Sequence, residues 1–321
     1  MNRRKFIQNN LLGVTSALTG SLLYCQERQG NSHSKQLQPL NKITIATGEI
    51  KAGDIHQHLR NLGKSWINPE TTVDTFKSGN PDMVVKGIAV GWMSYFKDLK
   101  KAVDLGCNLF ITHEPTFYDH RDNDENLFDF DITKEKKEFI ETHELSIIRC
   151  HDVWDLVPDI GVRDAWATFL GFTNEVQVSK DMVYPRFQKY CAAYTIPNVK
   201  AGILAQNIAR KLLTFGEDAV LFVGPKEKIV NRVAIGTGAI TPFLHMVRDL
   251  QADVAVCSND GMRFWRDAAL AIDMDYPLIV VDHACSEEFG IRKLAEHVSE
   301  TFPNIPVYHI PQNCMYTIVH A

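Results

Sequence analysis

Gly106-Cys107-Asn108-Leu109-Phe110-Ile111-Thr112-His113-Glu114-Pro115 passes from a turn through an unbroken apolar run to a histidine and a carboxylate, with Pro115 blocking a helical continuation. A strand with one wet face alternates polar and apolar residues. This run does not alternate, so it reads as a short strand covered on both faces, as in a parallel sheet flanked by helices. The pattern recurs along the chain. Stretch 145–149 leads to His151, Asp152 and Asp155, and the very apolar 277–281 leads to Asp282, His283 and Glu287. Stretches 86–90, 219–223, 231–235 and 253–258 complete the predicted strands. Between them 95–105, 133–144, 161–170, 240–250 and 288–298 place apolar residues at three-and-four spacing, the period of an amphipathic helix. Strands alternating with helices predict an α/β protein of two layered lobes, and neither a β-sandwich nor a helix bundle.

Polar residues and Pro185 interrupt the alternation between 172 and 186, which divides the body into lobes 42–175 and 176–321. Ahead of the body, Arg3, Arg4 and Lys5 precede a modest apolar stretch and resemble a twin-arginine export signal over 1–25. Leu22-Leu23-Tyr24-Cys25 resembles a lipoprotein box, which makes Cys25 a candidate lipid acceptor, although Tyr24 is bulkier than such sites want. Residues 26–41 read as a polar tether, and the folded body is expected from about Lys42. The leader implies an exported protein, periplasmic or lipid-anchored.

The 321 residues carry 34 Lys plus Arg against 39 Asp plus Glu and are 45% hydrophobic. That is enough to bury one large core or two ordinary ones. The net charge of −5 would repel a phosphate backbone, so nucleic acid is not an expected partner. No run approaches the roughly 18 apolar residues of a membrane span. The 7 cysteines are scattered, without C-x-x-C pairs, and read as small core residues, Cys285 included.

Three strands thus end in His plus carboxylate. In open α/β sheets ligands bind beyond the carboxyl ends of the strands, so these residues are placed to share a site. His283 and Glu287, four apart, reach one ion if a helix starts near residue 284. Taken singly, such a His is more often a hydrogen-bonded structural residue. Three such endings in one chain favour a metal site. Imidazoles and carboxylates without thiolates suit Zn, Mn or Fe, and carboxylates numerous enough to bridge admit a second ion. Rival signatures fail. His113-Glu114-Pro115 cannot start the helix of an H-E-x-x-H peptidase. In Ile55-His56-Gln57-His58-Leu59 the helical spacing of Ile55, Leu59 and Leu62 makes the two histidines diverge, and both read as surface residues. The turn Gly236-Thr237-Gly238-Ala239 offers backbone amides to an anion, but it reads equally well as a tight strand-to-helix turn. The acidic stretch 119–131 reads as a solvated loop.

The run 106–115 resembles the "HHP" segment of the Nif-three-like dinuclear metal-centre proteins, also known as GTP cyclohydrolase type two homologues. His151-Asp152-Val153-Trp154-Asp155 with Gly161-Val162-Arg163-Asp164, then 233–239, then Asp282-His283-Ala284-Cys285-Ser286-Glu287 resemble that family's later motifs in order. The resemblance implies two α/β lobes with a dinuclear metal site in the cleft between them. Its ligands would fall on His113, Glu114 in place of the family's second His, Asp155, His283 and Glu287, with His151 in a proton-transfer or supporting role. Two divalent ions are implied, with Zn, Mn or Fe favoured. Glu114 adds a charge that suits harder cations and admits Mg. Trp92 where the family often has Asp, and Asp282 where it has Gly, imply an altered pocket wall. The resemblance further implies a homo-oligomer, commonly a ring-like hexamer. Two functions are expected to compete: a metal-dependent hydrolase of a small molecule, in which the ions activate water, and a non-catalytic metal-binding scaffold. GTP is scarce outside the cytoplasm, so an exported protein fits a GTP cyclohydrolase role poorly.

Overall fold

Eleven strands are present among the residues described by the computed structural model, 37–40, 48–178 and 181–320. They are β1 (Phe76–Ser78), β2 (Ile88–Gly91), β3 (Leu109–Thr112), β4 (Ser146–Arg149), β5 (Asn174–Glu175), β6 (Cys191–Lys200), β7 (Leu221–Val223), β8 (Ile229–Gly236), β9 (Val254–Ser258), β10 (Leu278–Val281) and β11 (Val307–His309). The proposed leader and the start of the body at Lys42 lie outside the described residues. Of the polar stretch 26–41 only 37–40 is described, and there the Leu40 amide donates to the Val307 carbonyl at 2.7 Å.

Two sheets result. The first runs β1-β4-β3-β2-β11 and the second β5-β6-β8-β9-β10-β7. Strands β2, β3, β4 and β11 are parallel, as are β8, β9 and β10, while β1, β5, β6 and β7 join through antiparallel pairings. Every residue of β2, β3, β4, β9 and β10 is buried, as their unbroken runs require. Burying Leu109, Phe110 and Ile111 contributes roughly 1.5–3 kcal/mol each.

Both sheets fall in one compact unit, Gln38–Ala321. The expected division at 175/176 does not describe how the sheets are built: β11, at the far end of the chain, pairs with β2. The long helix His283–Thr301 that leads to it sends Ala284, Ile291, Leu294, Ala295 and Val298 into the first sheet's core and Cys285 into the second's. Gly290 makes this possible. A Cβ there would stand 2.9 Å from Val162 Cα, so the long helix and helix Val162–Leu170 meet backbone to backbone. At the same level the Trp154 indole N–H donates to the Gly290 carbonyl at 2.8 Å.

Other elements follow the predicted periods, with differences at their ends. The helix expected over 240–250 is Phe243–Arg248, because Pro242 caps it and the Gly-Thr-Gly turn occupies the residues before. His56 and His58 lie on helix Ala52–Leu62, as expected, but are half-buried there. His56 Nε2 bonds the Asp74 carbonyl, and His58 Nε2 lies 2.9 Å from His297 Nε2. The stretch 119–131 is not a free loop. Asp122 pairs with Lys77 at 3.5 Å and accepts the Phe117 amide, and the His120 carbonyl accepts from buried Arg149. No helix among the described residues is long and apolar enough to cross a membrane.

Candidate metal centre

The parallel strands of both sheets aim their carboxyl ends at one place. His113 and Glu114 follow β3, His151 and Asp155 follow β4, Trp92 follows β2, Thr237 and Gly238 follow β8, Asp260 follows β9, and His283 follows β10. Asp282 caps the long helix, its carboxylate accepting the Cys285 amide at 3.2 Å, and the first turn then brings His283 and Glu287 to one face. Strand ends that sequence reading grouped only by pattern therefore meet in space.

Their donor atoms interlock. His113 Nε2 lies 3.4 Å from Glu287 Oε2 and 3.7 Å from Asp155 Oδ1. His283 Nε2 lies 3.3 Å from the same Glu287 oxygen and 3.4 Å from Glu114 Oε1. His151 Nε2 lies 3.7 Å from Glu114 Oε1. Three sets of possible ligands follow, His113/Asp155/Glu287, Glu114/His283/Glu287 and His113/Glu114/His151, each with its atoms within 4.8 Å of one another. His113 Nε2, His283 Nε2 and Asp155 Oδ1 are buried with no hydrogen-bond partner among the described residues. Buried polar atoms left unpaired cost free energy, and here they point at one another across the gap that a cation needs. The residues present fit a metal.

The outer nitrogens of the imidazoles are fixed. His113 Nδ1 bonds the Cys150 carbonyl at 3.0 Å, His283 Nδ1 the Asp260 carboxylate at 3.0 Å, and His151 Nδ1 Asp152 Oδ1 at 3.0 Å. Each ring is thereby turned so that Nε2 faces the others, the usual way a ligating histidine is oriented. Asp152 itself turns outward. Its second oxygen accepts from the Thr72 hydroxyl and the Val73 amide, so of the acidic residues after β4 only Asp155 joins the cluster. Buried Arg149 holds Glu114 Oε2 at 3.0 Å and the His113 carbonyl at 2.8 Å.

Burial opposes charge on His113, His151 and His283, but the surrounding carboxylates outweigh it and hold all three imidazoles above the ordinary histidine range, His151 at about 9. For Asp155 burial prevails, and its carboxyl is pushed up to about 6. Burial also presses on Glu287, but His283 and His113 pull it well below the usual carboxylate range.

A cavity of about 400 Å³ opens over these residues. Its wall includes Trp92, Tyr118, His120, Thr237, Asp260 and Met315. Trp92 is more than wall, since its indole N–H donates to Glu287 Oε2 at 2.6 Å. The Gly-Thr-Gly turn seats against the ligands. A Cβ on Gly238, whose φ is +37°, would stand 2.0 Å from Glu287 Oε1 and 2.5 Å from His283 Nε2. Sequence reading missed Arg149, Asp260 and His120. A carboxylate after β9 obeys the strand-end rule and was findable. Arg149 lies inside an apolar run and carried no signal.

Two sheets feeding one cluster of imidazoles and carboxylates define a mixed α/β protein with a candidate metal centre at its strand ends. Residues 50–314 match the family described as Duf34/NIF3 (NGG1p interacting factor 3), and the chain belongs to that family. A protein of Chlamydia pneumoniae called "GTP cyclohydrolase 1 type 2 homolog" is 22% identical over 257 residues, 79% of this chain and 95% of that protein. Among solved structures, the Staphylococcus aureus hypothetical protein SA1388 superposes with a TM-score of 0.69 at 17% identity, covering 85% of this chain and 100% of that one. A Bacillus cereus protein related to NIF3 gives 0.67 at 13% identity, covering 86% and 100%. These likenesses show the fold.

Proposed function

We propose that the chain is a metal-dependent hydrolase acting on a small molecule, in which the two ligand sets that have Glu287 in common would hold two divalent ions. The observation that carries this reading is the pair of ligand sets, His113/Asp155 on one side and Glu114/His283 on the other, that share Glu287 beneath one open cavity. Divalent ions held there, Zn, Mn or Fe by donor type and Mg by virtue of Glu114, supply Lewis acidity and lower the pKa of a water.

The residues around them have separable tasks. His151, anchored on Nδ1 by Asp152, turns Nε2 toward the cluster and Glu114 and is the group placed to pass a proton to a leaving group. The Trp92 indole and Arg149 keep Glu287 and Glu114 in place. The cavity is large enough for a small ligand with a carbonyl, amidine or phosphoryl group. The name of the Chlamydia relative supports a ring-opening hydrolysis as one version. Export by the twin-arginine route and assembly into a hexamer belong to this reading on the leader and the family resemblance alone. An exported enzyme makes GTP a poor choice of substrate.

The test is metal analysis of the purified protein, then a panel of cyclic amides, nucleotides and phosphodiesters with that metal restored. Turnover that disappears with the metal, and in His113→Ala and Asp155→Ala together with the bound ions, is the expected result. Wild-type metal content in both variants would defeat the ligand assignment. Tight metal with no turnover anywhere would favour the scaffold.

A further inference from the structure

The first turn of the long helix carries a second set of donors on the side away from His283 and Glu287. Asp282 and Cys285, three apart, share that side. A carboxylate oxygen of Asp282 and the Sγ atoms of Cys285 and Cys314 all lie within 4.8 Å of one another. Asp282 and Cys285 are fully buried and Cys314 is half-buried, which leaves the cluster a route to solvent.

A second carboxylic acid stands beside them. Glu217, 1% exposed, accepts the Asp282 amide on Oε1 at 2.9 Å and the Tyr316 hydroxyl on the same oxygen at 3.3 Å. Its Oε2 is buried with no hydrogen-bond partner. The Cys285 thiol donates to the Phe215 carbonyl at 3.7 Å, and the charges that act most on it are those of Glu217, Asp282 and Cys314. Two thiols and two carboxylates buried against one another repel when ionised, and either protons or a cation must relieve them.

We propose that Asp282, Cys285 and Cys314, with Glu217 as fourth donor, form a second metal site that takes a thiophilic divalent cation such as Zn²⁺ or Cd²⁺. Two thiolates select for such ions over Mg²⁺ or Mn²⁺, and four donors complete the tetrahedral shell of a closed, structural site. The ion would fasten the segment after β11 to the start of the long helix. Met315, next to Cys314, lines the cavity over the first centre, so the fastening also fixes part of that cavity's wall. The two centres differ in chemistry, nitrogen and oxygen on one side of the turn, sulfur and oxygen on the other.

Cobalt(II) separates them, because a sulfur-to-metal charge-transfer band in the near ultraviolet requires a thiolate ligand. Full-length protein stripped of metal and titrated with Co²⁺ should develop that band. His113→Ala should keep it at full strength, Cys314→Ser should halve it, and Cys285→Ser with Cys314→Ser should abolish it. Cys314 is the less buried of the two thiols, so its single substitution keeps the test available should the double variant not fold. Cobalt bound without the band, a band that survives Cys314→Ser undiminished, or a purified chain two hydrogens light whose mass deficit vanishes in Cys314→Ser would each overturn the proposal, the last by showing a disulfide in its place.

Discussion

His283, at the start of the long helix, and His245, on helix Phe243–Arg248, are buried imidazoles with the same immediate partner. Each places Nδ1 against a carboxylate, Asp260 at 3.0 Å and Asp249 at 2.8 Å, and each leaves Nε2 without a hydrogen bond. They differ in what lies beyond. His283 Nε2 faces Glu287 and Glu114 under an open cavity, whereas His245 is packed in the second sheet's outer core, near the Phe187 ring. The Asp249 carboxylate also differs in use, since Oδ1 accepts the Val183 amide and Oδ2, besides facing His245, accepts the Tyr184 amide, which ties down a loop. A carboxylate that orients an imidazole is therefore common to a structural histidine and a candidate ligand. What distinguishes a ligand is the convergence of further donors on its other nitrogen.

The largest expected effect breaks that convergence. Glu287→Gln removes the oxygen shared by two ligand sets and should weaken metal affinity by more than about 100-fold, beyond the 10–100-fold typical of losing a supporting partner. Chelator competition measures it. Asp249→Ala should leave metal content unchanged and cost about 3–5 kcal/mol of stability in denaturant unfolding, because it strands a buried imidazole and two amides. If Asp249→Ala sheds metal while Glu287→Gln keeps it, the distinction between the two regions collapses.

Smaller effects sharpen the contrast. Asp260→Asn keeps the shape beside His283 but weakens the charge that orients it, and about a 10-fold loss of metal affinity is expected with stability nearly unchanged. The Asp260 carboxylate is 59% exposed, so its contribution to folding is small. Gly238→Ala should lose affinity as well, since the added methyl collides with Glu287 and His283. An affinity equal to wild type in Gly238→Ala would mean that the turn moves freely and takes no part in the site.

Much of this was legible in the sequence. The buried parallel strands announced themselves because covering both faces removes all alternation, and the candidate ligands because each group follows such a run. His151 and Glu287 were placed by that rule before any geometry. Three things were not legible, for physical reasons. The return of β11 to the first sheet depends on a pairing between residues more than two hundred positions apart, which leaves no local period. The antiparallel strand β6 contains Pro197 and bulges between Thr195 and Val199, which masks its alternation. Arg149 is charged at a position where the pattern demands an apolar residue, and only the three acceptors it meets, on His113, Glu114 and His120, account for its burial.

Acid and base should also act on the two regions in opposite directions. The folded protein holds Asp155 at about 6 and His151 at about 9, both above their unfolded values. A raised group stabilises the fold fully below its unfolded pKa and loses that contribution as pH rises through the folded one. Asp155 therefore loses its contribution between about pH 4 and 6 and Glu217 between about 4.5 and 7, while His151 loses its contribution between about 6.5 and 9, so the alkaline decline of the metal-free centre comes from the imidazole. Asp249 behaves the other way. Burial opposes its charge, but the Val183 amide and His245 pull it below the ordinary value, so its stabilisation is present above about pH 4 and fades as pH falls. In thermal unfolding of metal-free protein the midpoint should fall from pH 6 to 9, and the Asp249→Asn variant should retain that fall while losing part of the decline seen in acid. Metal binding requires deprotonated ligands, so saturation with metal should flatten the alkaline side alone. A metal-loaded protein whose alkaline decline matches that of the stripped one would place the titrating groups elsewhere than at the strand ends.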